Sequence, residues 1–217
     1  MKPIITFTTT RRDGNARDPA RLARILRFRG LPRTIATGEQ VHGHHLAVVP
    51  KLRQTRRIRG VDGLLTAAAD QPLGIYTADC AAIFLSAPSY GVVGLLHAGW
   101  RGVQGGILKK ALAVLRRRWN CPARQVQIEV GPCIGPCCFE VRWDVARYFP
   151  ATRRRKETRW VVDLQGELKR QARRFGIRVL RTAAPCTRHH STFFSYRRDK
   201  TDKRQISVIM RASASRD

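Results

Sequence analysis

The sequence predicts an α+β domain. Short apolar segments rich in β-branched residues recur along the 217-residue chain, and several follow one another without an intervening helix. Segments with helical spacing of apolar side chains occur at only a few places, so the regular strand–helix alternation of a doubly wound sheet is missing. Because 43% of the residues are hydrophobic, the chain can bury a core of its own. We therefore predict a single domain over residues 1–217.

The first predicted helix begins near residue 18. Asp18 is a favourable N-cap residue, and Pro19 suits the first helical position. Gly30 ends the segment. Between them, the apolar positions have the spacing of one helix face, at Leu22, Ile25 and Leu26.

The remaining elements are predicted from apolar periodicity. Helical spacing predicts two more helices, over residues 108–119 and 164–175, which we expect to pack on a sheet. The charged run at 152–158 is predicted to be a surface loop. Apolar and β-branched composition predicts strands over residues 46–49, 73–76, 81–85, 91–96, 126–130, 160–162, 177–180 and 206–210.

The charge balance is strongly basic. The chain has 42 Lys and Arg residues against 15 Asp and Glu, which gives a formal net charge of +27. Such a surface attracts polyanions in general. The basic residues are spread along the whole sequence, however, and no helix-turn-helix, zinc-finger or aromatic RNA-binding motif accompanies them. We expect non-specific polyanion binding rather than a dedicated DNA reader.

The cysteines and the apolar segments indicate the compartment. The chain lacks an apolar segment of membrane-spanning length, and its first ten residues lack the features of a signal peptide. We therefore expect a cytoplasmic protein without membrane contact. In such a protein, cysteines indicate metal binding, catalysis or burial rather than a disulfide framework. The six are Cys80, Cys121, Cys133, Cys137, Cys138 and Cys186.

Three short motifs supply two imidazoles and one thiol. His42, Cys80 and His97 each fall where a predicted strand meets a loop, beside glycine or a carboxylate. Catalytic zinc sites typically use three protein ligands and leave the fourth position for water or substrate. The pattern therefore predicts an open zinc site. Asp79 is a candidate to orient a histidine ligand from behind.

Two neighbouring motifs allow more than one interpretation. Arg101 follows His97 in a glycine-rich segment and could bind phosphate or carboxylate through its planar guanidinium, or form a surface salt bridge. The turn at 131–141 contains Cys133, Cys137 and Cys138, which are candidate ligands for a soft metal. Their spacing matches no zinc motif, so we favour a structural turn with buried thiols.

These motifs together resemble those of the YfiH/laccase-domain family. The resemblance runs from about residue 39 to the C-terminus and rests on residues 40–43, 61–63, 77–80, 97–102, 131–141 and 193–200. It implies a four-layer αββα sandwich of mixed β-sheets flanked by helices. It also implies that zinc is held by His42, Cys80 and His97. The family's older description as multicopper polyphenol oxidase implies copper instead, but six histidines are few for several copper centres, so we expect zinc and no laccase activity.

The resemblance also implies an enzymatic activity. Family members are credited with phosphorolysis of adenosine, inosine and methylthioadenosine, and with deamination of adenosine. One bacterial branch is linked to editing of peptidoglycan precursors. For deamination, Asp62 or Asp79 is the candidate acid that moves protons. For phosphorolysis, Arg101 and Arg197 are the candidate residues that bind phosphate beside the purine nucleoside.

Two departures from the family pattern and two alternative functions remain. The region 1–38 is shorter than in relatives, and Lys203 stands where relatives tend to have glycine.

One alternative is a cysteine hydrolase in which His97 activates Cys80 as the nucleophile. The other is a non-enzymatic protein whose positive charge binds polyanions.

Overall fold

Two large β-sheets lie face to face in the computed structural model, which describes residues 3–181 and 185–213. Within these residues the helices, in chain order, are α1 (Pro19–Phe28), α2 (Trp100–Gln104), α3 (Ile107–Trp119), α4 (Trp143–Ala146), α5 (Leu164–Arg174) and α6 (Tyr196–Asp199). The strands are β1 (Ile4–Thr8), β2 (Ala36–Gly38), β3 (Leu46–Val48), β4 (Arg56–Ile58), β5 (Gly63–Thr66), β6 (Leu73–Thr77), β7 (Ala81–Ala87), β8 (Val92–Ala98), β9 (Gln127–Val130), β10 (Glu140–Val141), β11 (Arg153–Lys156), β12 (Arg159–Val162), β13 (Arg178–Arg181) and β14 (Gln205–Arg211).

Both large sheets are mixed. The first has the order β1-β14-β6-β2-β4, with antiparallel pairing of β14 to both β1 and β6, and parallel pairing of β2 to both β4 and β6. The second has the order β13-β9-β7-β8-β5-β3, in which only the two outer pairs are parallel. This topology is that of an α+β fold, as the sequence predicts.

The inner core lies between the two sheets. Ile75 of β6 and Ile209 of β14 come from the first sheet and meet Phe84 of β7 and Leu95 of β8 from the second. Because successive side chains of a strand point to opposite faces, the neighbours of these residues face outward. Each large sheet therefore carries apolar side chains on both faces and needs a second covering layer.

Helices provide that covering on both outer faces. On the second sheet, Leu85 and Leu96 pack with Leu108 of α3 and Leu168 of α5. On the first sheet, α1 covers apolar side chains of β14; the residues in contact are Leu22, Ile25, Leu26, Ile206 and Val208. The layers therefore run helix, sheet, sheet, helix, and the predicted four-layer αββα sandwich is confirmed. No helix among the described residues is both long and apolar enough to cross a membrane.

The predicted loop at 152–158 is wrong, because residues 153–156 form strand β11. It pairs antiparallel with β12 in a small sheet of order β10-β12-β11, and Glu157 makes the turn with a φ of +51°. The guanidinium groups of Arg153 and Arg155 lie over the ring of Trp160, at 5.1 Å and 5.5 Å from its centroid. Backbone pairing and cation–π contacts therefore stabilise β11 as a strand, although its charged residues give no strand pattern in the sequence.

The other predicted elements are present with boundaries within about two residues. Helix α1 begins as expected, since the Asp18 carboxylate accepts hydrogen bonds from the N–H groups of Ala20 and Arg21. The short strands β1, β2, β4, β5 and β10 and the short helices α2, α4 and α6 were not predicted, because segments of two to five residues carry little periodicity.

Candidate metal centre and substrate cavity

The structure brings His42, Cys80 and His97 together at one end of the second sheet. His97 is the second-last residue of β8, Cys80 directly precedes β7, and the two strands pair so that Ala82 lies opposite His97. His42 comes from the connection between β2 and β3. One ligand atom from each of the three side chains lies within 4.8 Å of the others. The arrangement can hold a metal ion.

Asp62 holds two of the three candidate ligands in place. Its buried carboxylate accepts hydrogen bonds from the N–H groups of Val41 (3.2 Å), His42 (3.0 Å) and Gly43 (2.7 Å). These bonds stabilise the loop in which His42 has a φ of +59°, a conformation that few non-glycine residues adopt. The same carboxylate lies 2.7 Å from Nδ1 of His97. A carboxylate only accepts, so Nδ1 donates and Nε2 of His97 remains available to a metal.

The electrostatics of the centre favour the ionised forms. Burial raises the pKa of Asp62, but hydrogen bonds from His97 and from the N–H groups of Gly43 and Val41 hold that pKa below its usual value. Burial also raises the pKa of the Cys80 thiol, but His97 and His42 beside it lower that pKa to about 6. Burial lowers the pKa of His97, whereas Cys80 and Asp62 raise it to about 9. A thiolate therefore forms readily at Cys80, and a thiolate is the form that binds metals.

Gly99 allows the chain to pass close to all three ligands. A Cβ atom at this position would lie 3.2 Å from Sγ of Cys80, 3.5 Å from Cδ2 of His42 and 3.9 Å from Cε1 of His97. The backbone of Gly99 is extended, with φ of −69° and ψ of 168°, so any residue could adopt it. Glycine is favoured here by the limited space around Cys80 rather than by backbone conformation.

The donor set fits a zinc ion with an open coordination position. Two imidazoles and one thiolate are ligands that Zn²⁺ accepts, and three protein ligands leave a fourth position for water or substrate. His97 is buried, Cys80 is partly buried and His42 is exposed. The three therefore form a pocket that is closed on the His97 side and accessible on the His42 side.

The three ligands form part of the wall of a cavity of about 320 Å³. This volume lies within the range of about 300 to 1,000 Å³ that small-molecule sites occupy. Apolar and aromatic side chains make up much of the rest of the wall, among them Tyr76, Trp100, Ile134, Phe139, Leu164 and Tyr196. A flat, partly apolar molecule with polar edges fits such a lining.

Arg197 and Asp79 lie together in the cavity wall. The backbone N–H of Arg197 donates to Oδ2 of Asp79 at 2.7 Å, and the hydroxyl of Thr187 donates to Oδ1 at 2.6 Å. One guanidinium nitrogen of Arg197 donates to the carbonyl of Glu140 at 2.9 Å. Asp79 therefore joins the β6–β7 turn to two later segments, and the Arg197 guanidinium has further N–H groups that could bind an anion in the cavity.

Two predicted site residues lie outside the cavity wall. Arg101 is exposed on α2, and its guanidinium lies over the ring of Trp100 at 4.4 Å from the centroid. Asp62 is fully buried behind His97 and reaches the cavity through His97 and the backbone of His42. The geometry thus gives Asp62 the orienting position that the sequence suggests for Asp79.

Several residues in the cavity wall and directly behind it were missed by sequence reasoning. Arg17 and Arg204 both line the cavity, although they lie at opposite ends of the chain. Thr187, which anchors Asp79, follows Cys186 in a segment without apolar periodicity. The sheet pairing of β1, β14 and β6 brings Arg17 and Arg204 together, because Arg17 follows β1 and Arg204 directly precedes β14. No local motif could have identified them.

Comparison with known proteins identifies relatives over most of the chain. A family model described as multi-copper polyphenol oxidoreductase laccase matches residues 7–212. Purine nucleoside phosphorylase YlmD of Geobacillus stearothermophilus is 33% identical over 193 residues, which cover 80% of this chain and 70% of that protein. Purine nucleoside phosphorylase ORF3 of Streptomyces griseus is 34% identical over 205 residues, covering 88% and 82%. These names refer to nucleosides, so polyanion binding gains no support from them.

Solved structures show the same architecture. The crystal structure of YlmD from Geobacillus stearothermophilus matches with a TM-score of 0.88 and 28% identity, over 97% of this chain and 92% of that one. The Bacillus licheniformis hypothetical protein YfiH matches with a TM-score of 0.87 over 95% and 92%, and its 20% identity shows the shared fold alone. Because the family model spans nearly the whole sequence, this chain belongs to the multi-copper polyphenol oxidoreductase laccase family.

Proposed function

We propose that the chain is a zinc-dependent purine nucleoside phosphorylase that accepts adenosine, inosine and methylthioadenosine. The observation that carries the proposal is the open His42, Cys80 and His97 centre in the wall of a cavity that also presents arginines and aromatic rings. The relatives named purine nucleoside phosphorylase support the same reaction class. Copper-dependent phenol oxidation, to which the family description refers, is the less favoured reaction here, because His42, Cys80 and His97 supply a single three-ligand site in the cavity wall.

The cavity offers separate partners for the parts of a nucleoside. The aromatic rings of Tyr76, Trp100 and Tyr196 can stack on a purine, whose planar face suits them. Ile134 and Leu164 exclude water from the same space. The polar edges of the base and the ribose hydroxyls then face the charged part of the wall.

Three arginines provide the binding site for phosphate in this proposal. Arg197, Arg17 and Arg204 line the cavity, and a guanidinium binds phosphate oxygens through paired N–H groups. In phosphorolysis a phosphate oxygen forms a bond to C1′ of the ribose while the bond from C1′ to N9 of the purine breaks. The electron pair of that bond stays on the purine, which takes up the proton that the phosphate gives up, and the products are ribose 1-phosphate and the free base. Positive charge around the phosphate orients the nucleophile for this exchange.

The metal ligands have a defined task in this arrangement. Bound zinc supplies a Lewis acid that polarises oxygen ligands and stabilises negative charge. His97 remains fixed by Asp62, and Cys80 remains available as a thiolate. The shape of the centre is thus set by the chain before substrate enters.

Activity against inosine with and without phosphate tests the proposal. We expect hypoxanthine and ribose 1-phosphate in equal amounts, formed only when phosphate is present, and lost in His42→Ala. His45→Ala is the matched control, because His45 is exposed in the same loop and outside the metal-ligand group. Free ribose in place of ribose 1-phosphate, or equal activity in both variants, contradicts the proposal.

Deamination of adenosine is a second reaction at the same centre. Its support is the position of the Asp79 carboxylate in the cavity wall next to Cys80, where deamination requires a group that moves protons. Water oxygen would bond to C6 of adenine as the bond to the amino nitrogen breaks and ammonia leaves. Inosine formed from adenosine in phosphate-free buffer, and lost in Asp79→Asn, supports this reaction; its absence in the wild-type protein excludes it.

The cysteine-hydrolase alternative predicts a different dependence on metal. Without an ion, Cys80 and His97 form a thiol–imidazole pair of the kind that attacks carbonyl carbons. A hydrolase of this type keeps its activity after removal of metal, and alkylation of Cys80 abolishes it. The proposed phosphorylase loses activity on chelation and regains it with zinc.

A further inference from the structure

A second group of metal-binding side chains lies outside the centre described above. Cys137 and Cys138 belong to the glycine-rich turn that follows β9, and Cys186 and His189 belong to the segment that precedes α6. The two segments are far apart in sequence, since Cys137 and His189 are separated by 52 residues. The fold nevertheless places all four side chains in one cluster.

The geometry of the cluster fits a tetrahedral metal site. One ligand atom from each of Cys137, Cys138, Cys186 and His189 lies within 4.8 Å of the others, and Sγ of Cys137 lies 3.5 Å from Nδ1 of His189. In a tetrahedral zinc site with Zn–S bonds of about 2.3 Å, the sulfurs are about 3.8 Å apart. Small side-chain rotations are therefore sufficient to close the four atoms around one ion.

The surroundings of Cys186 and Cys138 suit negatively charged sulfur. The N–H of Gly135 donates to Sγ of Cys186 at 3.2 Å, and the N–H groups of Arg188 and His189 are directed to the same sulfur. Arg188 also contacts the sulfur of Cys138 with its side chain. Three thiolates and one Zn²⁺ carry a net charge of −1, which the guanidinium of Arg188 offsets.

We propose that Cys137, Cys138, Cys186 and His189 bind a second zinc ion at a closed, structural site. Three thiolates and one imidazole complete a tetrahedron with no position left for substrate, in contrast to the open centre at His42, Cys80 and His97. Soft thiolate donors select zinc over magnesium or calcium. The exposure of Cys137 and His189 lets the ion enter from solvent.

The second site supports the wall of the substrate cavity. Thr187 lies between the proposed ligands Cys186 and His189 in sequence. Its hydroxyl donates a hydrogen bond to the carboxylate of Asp79, the neighbour of Cys80. On the other segment, the N–H of Ile134 donates to the carbonyl of Asp79 at 2.8 Å. A metal that ties the two segments together therefore fixes the contacts that Thr187 and Ile134 make with Asp79. Its loss is expected to loosen the cavity without removing any ligand of the open centre.

Zinc content of the reduced protein tests the second site. We expect two equivalents of zinc per chain in the wild-type protein, one equivalent in Cys80→Ala, and none in the double variant Cys80→Ala with Cys137→Ser. Cys137→Ser is a mild change because this side chain is exposed. His190→Ala is the matched control for His189→Ala, because it is the exposed neighbour that lies outside the cluster.

Cobalt provides a second readout that does not depend on activity. In Cys80→Ala, Co²⁺ bound at the remaining site is expected to show an intense sulfur-to-cobalt charge-transfer band and the strong visible absorption of tetrahedral cobalt. At a fixed Co²⁺ concentration that only just fills this site, both signals are expected to fall several-fold in the further variant His189→Ala, because loss of one ligand weakens binding, and to stay unchanged with His190→Ala. Zinc-free Cys80→Ala, or cobalt bound without the charge-transfer band, overturns the proposal. A disulfide between Cys137 and Cys186 in metal-free, freshly purified protein overturns it in favour of a redox pair.

Discussion

His97 and Asp62 are joined twice, once through their side chains and once through the backbone. Nδ1 of His97 lies 2.7 Å from the Asp62 carboxylate, and the N–H of His97 donates to the Asp62 carbonyl at 2.6 Å. The same carboxylate binds the loop that carries His42. One buried acid therefore sets the positions of two candidate metal ligands that come from different elements, and the geometry of the centre depends on it.

Asp62→Asn is expected to weaken metal binding at the open centre. In asparagine an NH₂ group replaces one carboxylate oxygen. This group faces either Nδ1–H of His97 or an N–H of the His42 loop, so that buried donor loses its acceptor. We expect zinc affinity to fall about 10- to 100-fold, as for loss of other groups that orient metal ligands, and stability to fall by about 1–3 kcal/mol. Titration against a competing chelator measures the first effect.

The control for that variant is Asp18→Asn. Asp18 caps α1 and asparagine caps helices equally well, so the same chemical change there is expected to leave both zinc affinity and stability nearly unchanged. Equal zinc affinity in Asp62→Asn and wild type would show that Asp62 does not orient His97.

Gly99→Ala is expected to disturb the metal centre without disturbing the fold. The added methyl group lies 3.2 Å from Sγ of Cys80, closer than most such contacts, while the extended backbone accepts alanine. Zinc affinity is expected to fall, and the midpoint of thermal unfolding of the metal-free protein is expected to change little. A variant that binds zinc as tightly as wild type would show that the ligands have room to shift.

The two arginines that the sequence suggests for phosphate binding, Arg197 and Arg101, are expected to differ. Arg197→Ala removes a guanidinium from the cavity wall but keeps the backbone hydrogen bond to Asp79. We expect it to raise the KM for phosphate at least about tenfold, which corresponds to about 1.4 kcal/mol of binding. Arg101→Ala removes an exposed guanidinium stacked on Trp100, so its effect on this KM is expected to be small. A larger increase in this KM for Arg101→Ala than for Arg197→Ala would place the phosphate site at Arg101 instead.

The layered architecture makes a prediction about adjacent residues of β8. Leu95 faces the inner core between the sheets, and Leu96 faces the helices on the outer side. Because both are fully buried, Leu95→Ala and Leu96→Ala are each expected to cost about 2–5 kcal/mol in the free energy of unfolding. Val48→Ala, at an exposed position of β3, is expected to stay within about 0.5 kcal/mol of wild type. Denaturant unfolding measures all three.

Elements with strong periodicity could be predicted from the sequence. Helix α1 has an N-cap, a proline and three apolar positions on one face, and strands such as β7 are continuously apolar because both faces are covered. Strand β11 could not be predicted, because four basic residues in a row give no apolar signal. Its stability comes from pairing with β12 and from the Trp160 ring, which are contacts between segments.

The residues of the candidate site fall into the same two groups: those that a local motif identifies, and those whose role depends on contacts between segments. His42, Cys80 and His97 lie in short motifs at strand ends, so their residue types and their positions could be recognised from the sequence. The roles around them depend on distance in space. Asp62 contacts His97 because β5 pairs with β8, and that pairing places the acid behind the ligand rather than in the cavity.

The measurement that tests the central claim most directly is zinc content and inosine phosphorolysis on the same samples of wild type and Cys80→Ala. Cys121→Ala is the control, because Cys121 is a buried thiol outside both groups of candidate ligands. We predict that Cys80→Ala loses one equivalent of zinc and its phosphate-dependent turnover together, while the control keeps both. Full turnover in Cys80→Ala, or zinc content unchanged by the substitution, would contradict the account.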